Sequence, residues 1–225
     1  MAKKPLAPQQ ARSRKSLEGL MKAARDILNE KGLEGATVPK VAARAGLSPG
    51  SVYRRFPNKD ALMRAVVLQT LESLDAATAS ALTSDKAERL SLPEFAETMV
   101  RQSLATQRRN AKMLGAMHQI ITSHSSAAFK KKTVDLSVRS VQRVADFLLS
   151  KKAEMNHPDP RQAAMFAIML VGFTLQEIIV FDALPGVPDP RLPKTDDELV
   201  AELTRAFLRY LGAERKSKGR RASKS

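Results

Sequence analysis

Between Arg14 and Leu211, apolar residues recur at every third or fourth position, and no short run alternates apolar and polar residues between turns. A helix repeats every 3.6 residues and a strand every two, so this spacing leaves room for helices packed on helices and little else. The first stripe holds Leu17, Leu20, Met21, Ala24, Ile27 and Leu28 and stops at Lys31-Gly32. Thr37 then reads as an N-cap for VPKVAARA, with Pro39 in the first turn, where its missing donor costs nothing. Gly46 ends that helix as a left-handed cap. Ser48 caps the next one, Pro49 takes its first position, and Phe56-Pro57 closes it. Asn58 opens a fourth helix that runs through Leu62, Ala65, Val66, Leu68, Leu71 and Leu74 toward residue 80.

Later stripes follow the same rule. Pro93 opens one through Phe95, Met99, Val100 and Leu104, and another holds Met113, Leu114, Met117, Ile120 and Ile121. A long one carries Val134, Val138, Val141, Val144, Phe147 and Leu148. Pro158-Asp159-Pro160 starts the most hydrophobic segment, Ala163 to Ala183, and DDELVAELTRAFLRYLG is the last amphipathic stretch. The expectation is an all-α fold of about nine helices, without internal repeats.

Charge adds a second constraint. The 225-residue chain carries a formal net charge of +15, and most of it sits at the two ends. Residues 1–60 hold thirteen basic side chains against five acidic ones, and residues 214–225 hold six against one. The body between them is close to neutral, a distribution that suits a polyanion-binding head. The chain has no cysteine, which excludes disulfides and thiolate chemistry. The segment after Lys3 and Lys4 has no apolar leader, and Gln176 and Glu177 interrupt the longest apolar run, so the expected setting is the cytoplasm, with no membrane partner.

The stretch RAGLSPGSVYRRFPNKDAL, from Arg44 to Leu62, joins the two constraints. Its breakers leave a helix of only about two turns. At 100° per residue, Val52, Phe56 and Pro49 fall on one side, ready to pack on Val41, Ala42 and Ala45. Arg54 lies opposite, beside Gly50 and Ser51, with Tyr53 and Arg55 on the shoulders. Two short helices around Ala45-Gly46-Leu47, the second with a small, basic outer face, form a helix-turn-helix whose second helix fits a major groove. Gly50 and Ser51 let the backbone approach closely, and the forked Arg54 suits guanine O6 and N7. Tyr53, Arg55, Lys59, Thr37 and Lys40 suit phosphates, as do Arg14 and Lys15, with Ser48 and Pro49 at the edge of the same surface. When bound to DNA, such a protein would be nucleoid-associated.

The pattern T-V-x-x-V-A-x-x-A-G-L-S-x-G-S-V-Y-R-R-F-P-N-K-D-A-L, from Thr37 to Leu62, resembles the DNA-binding signature of TetR-family transcriptional regulators. It spans about a ninth of the chain, or a fifth with the helix before it. Pro39 departs from it, standing where that family more often has an acidic or polar residue, so no polar side-chain contact is expected there. The resemblance implies an N-terminal three-helix DNA-binding domain and a larger helical domain that binds a small ligand and dimerises. The expected organisation is a flexible basic arm at 1–13, a DNA-binding domain at 14–60, a regulatory and dimerisation domain at 61–212, and a disordered basic tail at 213–225.

Within the second domain, Met99, Met113, Met117, Met169 and Phe173 are candidates for an adaptable apolar pocket. Gln102 and His118, with His124 and Arg101, are candidates to orient its ligand. Phe166, Leu170, Phe173, Ile178, Phe181, Leu203, Phe207 and Tyr210 are candidates for an intersubunit bundle. Ordinary core packing is the competing reading for each methionine.

Catalysis finds little support. Only Glu154-Met155-Asn156-His157 has the Glu-x-x-His spacing of a bundle metal site, and it abuts Pro158. His118 and His124, six apart, fall about 240° apart on a helix. No nucleophile elbow or phosphate-binding glycine loop is present. The expectation is a homodimeric repressor on a palindromic operator, without cofactor or metal and controlled by an apolar or amphipathic small molecule. The alternative keeps DNA binding and drops ligand control.

Overall fold

The computed structural model describes residues 8–123, 126–180, 193 and 195–213. Among them lie ten α-helices and no strand, so the chain is all-α as its periodicity requires. The helices are α1 Pro8–Gly35, α2 Val38–Arg44, α3 Pro49–Tyr53, α4 Lys59–Leu82 and α5 Asp85–Arg89, followed by α6 Leu92–Arg109, α7 Ala111–Thr122, α8 Ala127–Ser150, α9 Pro160–Leu175 and α10 Asp196–Leu211. A 3₁₀ turn at Lys152–Glu154 precedes α9, and a π turn at Gln176–Val180 follows it. The helix beyond the expected nine is α5, five residues with no apolar stripe to announce it, capped by Ser84 accepting from the Ala87 N–H. The first helix also starts at Pro8, six residues before the expected arm ends. Residues 1–7, the rest of that arm, and 214–225, nearly all of the expected tail, lie outside the described residues.

Packing divides the chain into two compact units. The first comprises residues 1–76, 107–137 and 179–181. Its core joins Leu20, Ala24, Ile27 and Leu28 of α1 to Val41 and Ala42 of α2, Val52 of α3 and Leu62, Met63 and Val66 of α4. Met113, Ala116, Met117 and Ile120 of α7, with Phe129 of α8, belong to the same cluster. Burying each leucine contributes about 1.5–3 kcal/mol, so this unit holds the short α2 and α3 against α1 and α4 by shared apolar surface.

The second unit comprises residues 77–106, 138–178 and 182–225. Phe95, Ala96, Val100 and Leu104 of α6 are buried in it, as are Ala163, Ala167, Val171 and Leu175 of α9 and Leu199, Leu203, Phe207 and Leu211 of α10. The rings of Phe95 and Phe147 lie 4.6 Å apart. Helix α10 begins with a reciprocal cap between Thr195 and Glu198 and ends at Gly212, whose φ is 67°. The Asn156 carbonyl leaves no room for a β-carbon at Gly212.

Two stripes differ from their sequence reading. On α8 the expected inward residues Val134 and Val138 are exposed, whereas Phe129, Thr133 and Leu136 are buried. Both sets have helical spacing, and Phe129 packs into the first unit's core. On α9 the small residues turn inward, while Phe166, Met169, Leu170 and Phe173 are 38–59% exposed in the single chain. Together with the π turn, Pro160–Val180 forms 21 helical residues, and an 18-residue window within it has a mean hydropathy of 2.0, with 28% of that window buried. By length and composition alone it is apolar enough to span a membrane, which corrects the reading that Gln176 and Glu177 break the run.

Candidate nucleic-acid interface

The turn before α3 is built from local chemistry. Thr37 occupies the N-cap position of α2 without a side-chain cap bond, and Pro39 sits in the first turn. At the other end the Leu47 N–H donates to the Ala42 carbonyl at 2.9 Å and the Gly46 N–H to the Ala43 carbonyl at 3.1 Å. Those paired bonds close a Schellman motif, which needs a left-handed residue at Gly46, where φ is 68°. Ser48 then caps α3, its Oγ accepting from the Ser51 N–H at 3.2 Å.

Helix α3 has one buried residue, Val52, at 0% exposure. Phe56 is half-buried against the same core, but Pro49 is exposed, contrary to its expected inward place. As the first helical residue it serves the backbone, and its ring faces outward. The rest of α3 is open: Gly50 has free space where a β-carbon would stand, and Tyr53 is 49% exposed. The Ser48 and Ser51 hydroxyls are 2.9 Å apart, and Arg54 donates through Nη2 to Ser51 Oγ at 2.9 Å. The guanidinium is thus folded back along the exposed face toward the start of the helix.

The other candidate phosphate contacts are placed unevenly. Lys15 and Lys40 are exposed. Arg14 is exposed too, and it pairs with Glu18 at 3.1 Å one turn on. Arg55 donates to Ser13 Oγ at 3.3 Å, which brings the start of α1 beside α3. Lys59 is half-buried, its Nζ donating to the Leu33 carbonyl at 2.8 Å. The sequence marks it as a candidate phosphate contact, and in the fold it closes the end of α1.

One ion pair was missed. Arg44 donates from both Nη atoms to the two carboxylate oxygens of Glu30, at 2.6 and 2.9 Å, and so locks the last turn of α2 to α1. The Arg44 hydrogen bond holds the Glu30 carboxyl below its usual range, and the same bond raises the Arg44 guanidinium.

Residues 20–66 match the family model for bacterial regulatory proteins of the tetR family. The similarity to the tetR family is thus carried by residues 20–66, the segment that holds α2, α3 and the turn between them. UidR of Escherichia coli K12, an HTH-type transcriptional regulator, is 36% identical over 53 residues, which are 24% of this chain and 27% of UidR. The chain therefore spans about a quarter of the length of that curated relative. The fold extends the likeness further. A tetR-family regulator structure from Mesorhizobium loti aligns with a TM-score of 0.64 at 22% identity, covering 88% of this chain and 96% of that one. FadR of Bacillus subtilis in complex with stearoyl-CoA aligns with a TM-score of 0.61 at 14% identity, covering 88% and 100%.

Outside residues 20–66 the candidate site residues differ in exposure. Met113 and Met117 are packed into the first unit's core, whereas Gln102, His118, Met169 and Phe173 face solvent and Met99 is half-buried. His124 lies outside the described residues. Arg101 is engaged with Asp197 at 2.6 Å and Glu97 at 3.1 Å.

Of the interface candidates, Phe166, Leu170, Phe173 and Tyr210 are exposed, and the Phe166 and Tyr210 rings lie 5.0 Å apart. Ile178 is half-buried, and Phe181 lies outside the described residues. Leu203 and Phe207 are buried within their own unit, at 8% and 0% exposure. The amphipathic face of α10 is spent on the chain's own core, which leaves those two nothing to offer a partner.

Among the described residues, no group of three or more His, Asp or Glu side chains is placed to hold a metal. Glu154 accepts from the Leu92 N–H at 3.0 Å, capping α6, and His157 Nδ1 accepts from the Asp159 N–H at 3.1 Å.

Proposed function

We propose that the chain is a DNA-binding transcriptional regulator that acts as a homodimer on a palindromic operator and represses by occupying it. The observation that carries this reading is α3 itself. Its only buried side chain is Val52, and it turns Gly50, Tyr53 and Arg54 outward on a helix short enough to enter a groove. Two copies of α3, about 34–36 Å apart, would enter successive major grooves. The open face of Phe166, Leu170, Phe173 and Tyr210 supplies the surface by which a second copy joins. Such a regulator is not an enzyme, and it works in the cytoplasm, at the nucleoid when bound to its operator.

Control by an apolar or amphipathic effector completes the reading, supported by the structurally similar FadR, which holds stearoyl-CoA. Effector and operator would then oppose each other through linkage between their sites. A second reading drops the effector. The packing of Met113 and Met117 into the first unit's core favours it, since that part of the interior is filled.

Selection of bound sequences from a random duplex pool at physiological salt tests the DNA reading. The native protein should enrich a two-fold symmetric site. An Arg54→Ala variant should lose about 1–3 kcal/mol of discrimination at one base position in each half-site. Enrichment of no sequence by the native protein would end the proposal.

A further inference from the structure

The corner where α7 meets the end of α1 carries charge that the fold does not consume. Asn29 Nδ2 donates to the Arg109 carbonyl at 3.2 Å, and Lys112 Nζ donates to the Glu30 carbonyl at 3.0 Å. The Lys112 bond and that of Lys59 to the Leu33 carbonyl satisfy backbone groups on either side of the break in α1 at Gly32, where φ is 65°, and the Asn29 bond satisfies the end of α6.

Every one of these ties uses a carbonyl dipole, so none of them neutralises a whole charge. Lys112 keeps its cation at the surface. Arg109 is pinned by its peptide, while its guanidinium is exposed and meets no carboxylate at ion-pair distance among the described residues. Lys31 is exposed in the same way. The acids close by are Glu30, already held on both oxygens by Arg44, and the exposed Glu34.

We propose that this corner, with Lys31, Arg109 and Lys112 as its cations, is a second DNA-contacting surface that grips phosphates outside the bases read by α3. The proposal rests on the DNA-binding reading above. Position supports it, because α1 ends at Gly35 and Thr37 opens α2 only two residues later. Along the chain, the segment that carries Lys31 thus leads directly into Thr37 and Lys40, the candidate phosphate contacts at the start of α2. Duplex DNA carries one charge per ~1.7 Å of its length, so a flank passing this corner offers several phosphates within a Debye length of about 8 Å.

The test compares native protein with a Lys31→Gln/Arg109→Gln variant on the selected operator, in one duplex trimmed to the half-sites and one with ten further base pairs on each side. Lys112 is left intact because it also closes α1. On the long duplex the variant's log–log salt slope should be shallower by about 1–2, at ~0.9 per lost phosphate contact, with base discrimination unchanged. On the trimmed duplex the two proteins should agree. A Lys31→Arg/Arg109→Lys variant should restore the native slope, which separates charge from shape. Equal slopes on the long duplex, with native discrimination intact, would overturn the second surface and leave the DNA-binding reading standing. A native protein that discriminates no duplex would overturn both.

Discussion

Gly50 distinguishes a residue kept for the fold from one kept for a partner. A β-carbon there meets nothing, and glycine inside a helix costs about 0.5–1 kcal/mol relative to alanine. Gly50→Ala should therefore leave stability unchanged or slightly raised in urea titration, while weakening operator binding because the added methyl stands between α3 and the groove floor. Unchanged operator affinity would remove Gly50 from the interface. Glu30 makes a different residue-scale claim. Its carboxyl is held below its usual range by Arg44 in the folded chain, so its contribution is present above the ordinary carboxylate pKa and lost as pH falls through the lowered value. The gap in urea midpoint between native protein and Glu30→Gln should be open at pH 7 and close in acid. Both partners are exposed, so added salt should narrow it as well.

Among the elements, the turn between α2 and α3 depends most on one backbone conformation. Gly46 holds φ at 68°, and the Schellman bonds to Ala42 and Ala43 require it. Gly46→Ala should cost about 1–2 kcal/mol of unfolding free energy, because a β-carbon in the left-handed region crowds the following carbonyl. Open space around that β-carbon means strain alone sets the penalty. The same substitution should lower operator affinity further by tilting α3, which gel-shift titration of the folded fraction would separate from the stability loss. Helix α10 shows the opposite economy: its cap, apolar face and left-handed terminus are all spent within its own unit.

For the whole molecule the open question is what covers α9. Four large apolar side chains, Phe166, Met169, Leu170 and Phe173, stand 38–59% exposed on one helix. A patch of this kind marks an interaction surface, and under the function proposed above a second copy of the chain would cover it with the two-fold symmetry of a palindromic operator. Phe173→Glu should convert a dimer at micromolar concentration to a monomer in sedimentation, with its helical circular dichroism retained. A native protein that sediments as a monomer under those conditions would refute the shared face.

Much of this chain was legible before any fold was known, and the reason is range. The Thr37, Ser48 and Asn58 helix starts, the Gly46 turn and the outward Tyr53 and Arg54 each depend on four to six consecutive residues, whose geometry a local rule can supply. The family signature lies in that same stretch. Tertiary structure alone decided the rest. It set the phase of α8, the face of α9 left open and the turning of Phe207 inward. It also joined Arg44 to Glu30, 14 residues away, and Lys112 to the Glu30 carbonyl, 82 residues away. Periodicity marks which side chains share a face, but the element packed against that face chooses which side is buried.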